Sequence, residues 1–411
     1  MFHLRRKDIY VMSTLRTKLY KKHFFYIITK INNVYDIEII IINIKRMDNL
    51  EKNPVNNSTL INDIRTQSEF RGISFSKYKN TEVKTALLES IMKGKAHIET
   101  SLHWTTEMVC SGHFMDIWEV ILHYMGKHIH LGNPRLTVYL ENRFTIFRNI
   151  ISQSNYTCEL QLRNNTNIRK LFAEVICLLS FSPRKHSFEP VKINRVEEFD
   201  ITQMTERLCA SNITFVEPIF RKDDPKELYI AINEFAFSIS PECKDLIKAC
   251  YWIEWVVEFD IICTKRKKRC ICERRTWAVV EKKHQKDIIW LIWDAIMNQM
   301  NSKSEFIQKT LKSLLQLFCI KYTSGSGKKR RYLLYFAVGL LTEPVQENIE
   351  MISIENKKMV YVITEQIDKM YKQIKKNEES PNTDYLFGNL KQDNSIENSL
   401  KKLEIMDKLL E

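Results

Sequence analysis

The 411-residue sequence is poor in the two residues that punctuate a chain, with nine glycines and nine prolines. So few turn-formers disfavour a turn-rich all-β fold and suit long helices. No apolar run approaches the roughly 18 residues that cross a bilayer. The longest, YLLYFAVGLL at 332–341, is far short of that, so no membrane partner is expected. A secretory signal is also missing: the apolar run IEIIIINI at 37–44 lies far from the N-terminus, and no small-residue cleavage site follows it. Gly-x-Ser-x-Gly, the kinase motif set and HExxH are all absent. The chain therefore carries no complete catalytic signature, and neither an enzyme activity nor a cofactor is expected.

What is present is ordinary globular material, 44% hydrophobic and 27% charged, long enough for two or three domains. The net charge of +13 is unevenly placed, since residues 1–46 hold ten Lys/Arg against three Asp/Glu and carry +7 of it. Met47 then opens MDNLEKNPVNNST, which reads as a native start, with 1–46 as translated upstream sequence. Residues 47–70 read as a polar leader of little order. The ten cysteines are scattered, and several, such as Cys177 and Cys319, sit in apolar helical stretches. They read as reduced, small buried hydrophobes.

Apolar spacing and breakers predict helices at 81–92, 98–111, 114–124, 134–151, 168–181, 202–210, 225–237, 243–260, 286–300, 306–320, 331–341, 357–376 and 395–411. Gly94 and Gly112 mark two stops. The fold class that follows is all-α, a helical array of stacked hairpins. Subdomains are expected at 71–240 and 241–377, then a linker and charged tail helix at 378–411. The halves share a faint likeness. LHWTTEMVCS (102–111) aligns with CYWIEWVVEF (250–259), and FMDIWEVILHYM (114–125) with KDIIWLIWDAIM (286–297), which suggests an internal duplication. Trp252, Trp255, Trp290 and Trp293 lie on apolar helical faces and read as core.

Three stretches carry candidate chemistry. Residues 82–148 hold six of the ten histidines: His97, His103, His113, His123, His128 and His130. His128 and His130 with Cys110 or His113 could supply zinc ligands, although helical spacing points these side chains in different directions. The stretch CTKRKKRCICERR at 263–275 has Cys263, Cys270 and Cys272, with His284 beyond, a low-specificity metal knuckle. Its Lys265, Arg266, Lys267, Lys268, Arg269, Arg274 and Arg275 make a better case for nucleic-acid phosphate, because dense positive charge releases counterions on binding. GSGKKRR at 325–331 adds Lys328, Lys329, Arg330 and Arg331. It is not a P-loop: Tyr322 stands where the first glycine belongs, and Lys329 where Ser or Thr would reach magnesium. A basic loop opening a helix can still hold a phosphate. The plainer reading of both basic stretches is a solvated loop. The acidic pairs Glu197-Glu198 and Asp223-Asp224 read as loop or cap charges.

Several strings resemble an uncharacterised protein family of nucleocytoplasmic large DNA viruses, giant viruses included. They are GISFSKYKNTEVKTALLESIMKGK (72–95), KHIHLGNPRL (127–136), ACYWIEWVVEFD (249–260), CERRTW (272–277) and FCIKYTSGSGKKRRYLLYFAVGLLTEPV (318–345). The resemblance spans about 72–378 and does not reach 1–46. It implies a viral protein of the host cytoplasm, in the viral factory or the virion, with other viral replication or transcription proteins as partners. It supplies no activity and no catalytic residues. The pattern LLESIMKGKAHIETSLHWTTEMVCSGHFMDIWEVI is also similar to the helical collar of clamp loaders, whose ATPase module this chain lacks. The function expected from these features is a non-catalytic accessory of viral genome replication or expression, touching nucleic acid through the basic loops. The other reading is a protein-interaction or virion-assembly scaffold without nucleic-acid binding.

Overall fold

The structure is a computed structural model that describes residues 57–153, 158–195, 199 and 205–379. Among them it is all-α, with two isolated bridges and no strand. The helices are α1 (Asn80–Met92), α2 (Ile98–Cys110), α3 (Phe114–Tyr124), α4 (Arg135–Gln153), α5 (Thr166–Phe181), α6 (Tyr229–Ser238) and α7 (Leu246–Lys265). They continue with α8 (Ile289–Met300), α9 (Glu305–Phe318), α10 (Ser326–Lys329), α11 (Arg331–Thr342), α12 (Ile354–Glu365) and α13 (Asp368–Ile374).

Local chemistry sets many of these ends. The side chains of Asn165, Asp245, Ser304 and Ser353 accept from N–H groups in the first turns of α5, α7, α9 and α12. At the end of α2, Gly112 (φ 77°) donates to Val109 O at 3.1 Å and His113 N–H to Met108 O at 2.8 Å. That is a Schellman closure, with glycine in the left-handed position. α7 ends the same way with a lysine: Lys267 (φ 57°) donates to Thr264 O at 3.1 Å and Lys268 to Cys263 O at 3.0 Å. Lys77, Lys244 and Lys321 also take positive φ. In a chain so short of glycine, lysine fills corners where a Cβ costs energy.

Two predicted helices differ. At 205–210 there is only the 3-10 turn Thr205–Arg207, and 202–204 lie outside the described residues. The span 357–376 breaks into α12 and α13 around Gln366 and Ile367. The stretch 1–46 and the tail helix at 395–411 also lie outside the described residues. Residues 58–70 are not a loose leader. Thr59, Ile61, Asp63 and Arg65 are buried in alternation, and Asn164 exchanges two hydrogen bonds of 2.8 Å with the backbone of Ile61.

The helix order repeats. In α1–α5, and again in α6, α7, α8, α9 and α11, the first helix packs most extensively on the second, the second on the fifth, and the fourth on the fifth. The two fourth helices, α4 and α9, pack on each other. Trp118 and Trp290, matched in the sequence alignment, are both fully buried. The second run of this order starts at α6, ahead of the expected boundary at 240. α12 and α13 return to the first unit, against α5 and α2, and everything described from Ser58 onward belongs to one compact unit.

Candidate nucleic-acid interface

The two units differ most in one connection. Residues 111–113 join α2 to α3, whereas 266–288 join the corresponding α7 to α8. This insertion is the cysteine-bearing basic stretch. The chain enters it from α7 through the Schellman turn, where Lys265, Arg266, Lys267 and Lys268 are all exposed and make no ion pair among the described residues. Cations just past a helix C-terminus also complement its dipole, which accounts for part of this charge.

Beyond this turn the insertion is fastened to the fold. Arg269 Nη2 meets Asp287 Oδ1 at 2.6 Å, Cys272 N–H donates to Lys286 O at 2.9 Å, and Arg274 Nε donates to Gln285 Oε1 at 2.7 Å. Arg275 is fully buried. It forks onto Asp224 with two bonds of 2.6 Å, reaches Asp294 Oδ2 at 2.7 Å and donates to Glu273 O at 2.8 Å. Arg275 is therefore withdrawn from the phosphate-binding set, because its donors are spent inside the protein. Asp224, read from the sequence as a loop charge, is its buried counter-ion.

The second basic stretch divides likewise. Lys328 and Lys329 are exposed and without an ion pair among the described residues. Arg330 is 3% exposed, bonded to Phe318 O at 2.6 Å and paired with Glu119. Arg331 pairs at 2.8 Å with Glu254, which also accepts from Tyr335 Oη at 2.8 Å. Arg330 is thus a structural cation, and Arg331 is held by a carboxylate of α7. No phosphate cradle opens here either: α10 is a single turn, and Ser326 is already bonded to Thr323. Six of the eleven candidate cations are exposed with no side-chain bond among the described residues, while Arg274, also exposed and without an ion pair, is tied through Nε to Gln285 alone. The α7 axis relates the two groups among the six, since Glu254, which anchors Arg331, stands about 16 Å along it from Lys265.

The metal candidates do not converge. Among the described residues no three of His, Cys, Asp and Glu come together as ligands, so Cys263, Cys270, Cys272 and His284 form no site. Burial pushes the Cys270 and Cys272 thiols up to about 12, away from the thiolate that binds metal. In the histidine stretch, His113 Nε2 bonds Ile73 O at 2.8 Å, His128 Nδ1 bonds Ser187 Oγ at 2.7 Å, and His130 Nε2 bonds His186 O at 2.6 Å. Burial lowers His128 and His130 to about 4, so both are neutral and act as anchors for residues 185–188.

One group under the insertion gave no sequence signal. Burial, then the neighbouring Asp287, raises the Asp260 carboxyl to about 6 against the pull of Arg269. A carboxyl raised in the folded state stabilises the fold below its unfolded value near 4, and that contribution is lost as pH rises through about 6. Asp260→Asn should therefore raise the unfolding free energy at pH 7 by on the order of 1 kcal/mol, allowing for solvent access. It should also flatten the stability profile between pH 4 and 6, as urea titrations across that range would show.

No family model, no curated protein and no solved structure matches the chain. Among the described residues no helix is long and apolar enough to cross a membrane.

Proposed function

We propose that the protein is a non-catalytic, nucleic-acid-binding accessory. The observation that carries this reading is the insertion between α7 and α8. A helical scaffold whose packing order repeats bears, in one unit only, a turn followed by a hydrogen-bonded segment, and the four exposed cations of that turn have no ion-pair partner among the described residues. Loops set on a rigid frame are where function concentrates, and unpaired cations suit a phosphate backbone. Lys328 and Lys329 extend the same contact. The setting in viral genome replication or expression, and the viral partners, follow from the sequence resemblance to the large-DNA-virus family. A protein-interaction role is favoured at one place, α12, where Ile354, Tyr361 and Val362 are exposed at helical spacing on one face.

Fluorescence anisotropy of labelled DNA and RNA against salt tests the binding. If all six free cations engage a duplex, log K should fall against log salt with a slope of about −5. Absence of binding at low salt sinks the proposal.

A further inference from the structure

The turn at 73–79 and the face of α2 beneath it have no part in the basic insertion. The turn closes through the bridge between Ile73 and Lys79, with Ser74 N–H bonded to Tyr78 O at 2.8 Å and Lys77 (φ 67°) at its left-handed corner. It is braced from several sides. Glu107 of α2, 1% exposed, accepts from Ser76 N–H at 3.0 Å and also from the Ser76 hydroxyl. His113 holds Ile73 O, and Asn377 Nδ2 donates to Ser76 Oγ at 2.7 Å. Burying a carboxylate is costly, and a turn that merely connects two segments does not need one beneath it.

The bracing fixes Tyr78. Its ring, 48% exposed, meets Trp104 edge-on at 5.5 Å and 80°, and His103 stands 5.1 Å from Trp104 at 74°. Trp104 and Glu107 lie about one helical turn apart on α2, so one region of the helix supplies both the aromatic surface and its brace. Trp104 is only partly buried, whereas Trp252, its counterpart in the second unit, is 1% exposed. The first unit leaves open what the second covers. Cations flank one of these rings: Lys77 and Lys79, both exposed, stand on either side of Tyr78 in the turn. Lys77 pairs with Glu379 at 2.8 Å and Lys79 with Glu82 at 3.5 Å. Exposed pairs of this kind contribute little and yield to a phosphate.

We infer that Tyr78 and Trp104 form a stacking platform for an unpaired nucleobase, with Lys77 and Lys79 on the flanking phosphates. The inference rests on the nucleic-acid reading of the basic insertion and adds to it a preference for single strands. A duplex keeps its bases stacked on one another, while a single strand offers every π-face to an aromatic side chain. The lysines on both sides of Tyr78 favour this polyanion over an extended peptide.

Anisotropy of the full chain with fluorescein-labelled oligothymidylate, and with a duplex of equal length, tests it. Tyr78→Ala should weaken single-strand binding by about tenfold and leave duplex binding within about twofold, and Tyr78→Phe should retain both. Thermal melts check that each variant is folded. If the wild type binds both probes and Tyr78→Ala changes neither, or changes both equally, this inference falls while the basic insertion stands. Loss of affinity for a proline-rich peptide in place of oligothymidylate also overturns it. If the wild type binds neither nucleic acid, both readings fall.

Discussion

Replacing Arg275 by methionine should lower the unfolding free energy by about 3–5 kcal/mol, read from the urea midpoint at unchanged slope. Arg275 is fully buried between Asp224, 4% exposed, and Asp294. Methionine fills a comparable volume but leaves the buried Asp224 and the partly buried Asp294 without their cation. The cost is therefore that of unpaired buried charge, not of lost packing. Replacing Asp224 and Asp294 by apolar or amide side chains in the same chain should recover much of the loss, because an intact buried cluster adds little net stability. Lys268→Met, only seven positions earlier but exposed, should shift stability by under about 0.5 kcal/mol. The contrast separates structural cations from free ones within a single basic stretch.

That contrast was not legible in the sequence, where Lys268 and Arg275 carry the same charge in the same run. What distinguishes them is Asp224, 51 positions away, brought in by the tertiary fold. The helices were more legible. The expected span 114–124 is α3 to the residue, because a strict apolar period sits between Gly112 and a break in pattern. The expected span 243–260 stops five residues short of the end of α7, since IICTK mixes apolar and charged positions. The order in 58–70 was hidden for a physical reason. Its inward side chains are Thr59, Asp63 and Arg65 as well as Ile61, while Ile64 is 51% exposed, so the alternation does not follow the usual apolar-in pattern. Its polar interior is satisfied by partners far along the chain: Arg163 donates to Asp63 O at 3.0 Å and Arg169 to Thr59 O at 3.0 Å. The repeat was faintly visible in two aligned strings, but its content lies in the helix packing order, which no string records.

The repeat also sharpens what should happen when the insertion is altered. Changing Lys265, Arg266, Lys267 and Lys268 together to glutamate should weaken nucleic-acid binding at least about a hundredfold at low salt. The salt slope for a duplex should drop from about −5 to about −2, the remainder belonging to Lys328 and Lys329. Stability should fall by no more than about 1 kcal/mol, from the lost complement to the α7 dipole, because these side chains are exposed and unpaired. The first unit shows why such a cost is tolerable: α2 closes at Gly112 with the same hydrogen bonds and no cluster of cations. The turn therefore does not require the charge, whereas the proposed phosphate contact does. Equal losses of affinity and stability would make these four cations structural. A loss of affinity with the slope unchanged would place the contact elsewhere on the molecule.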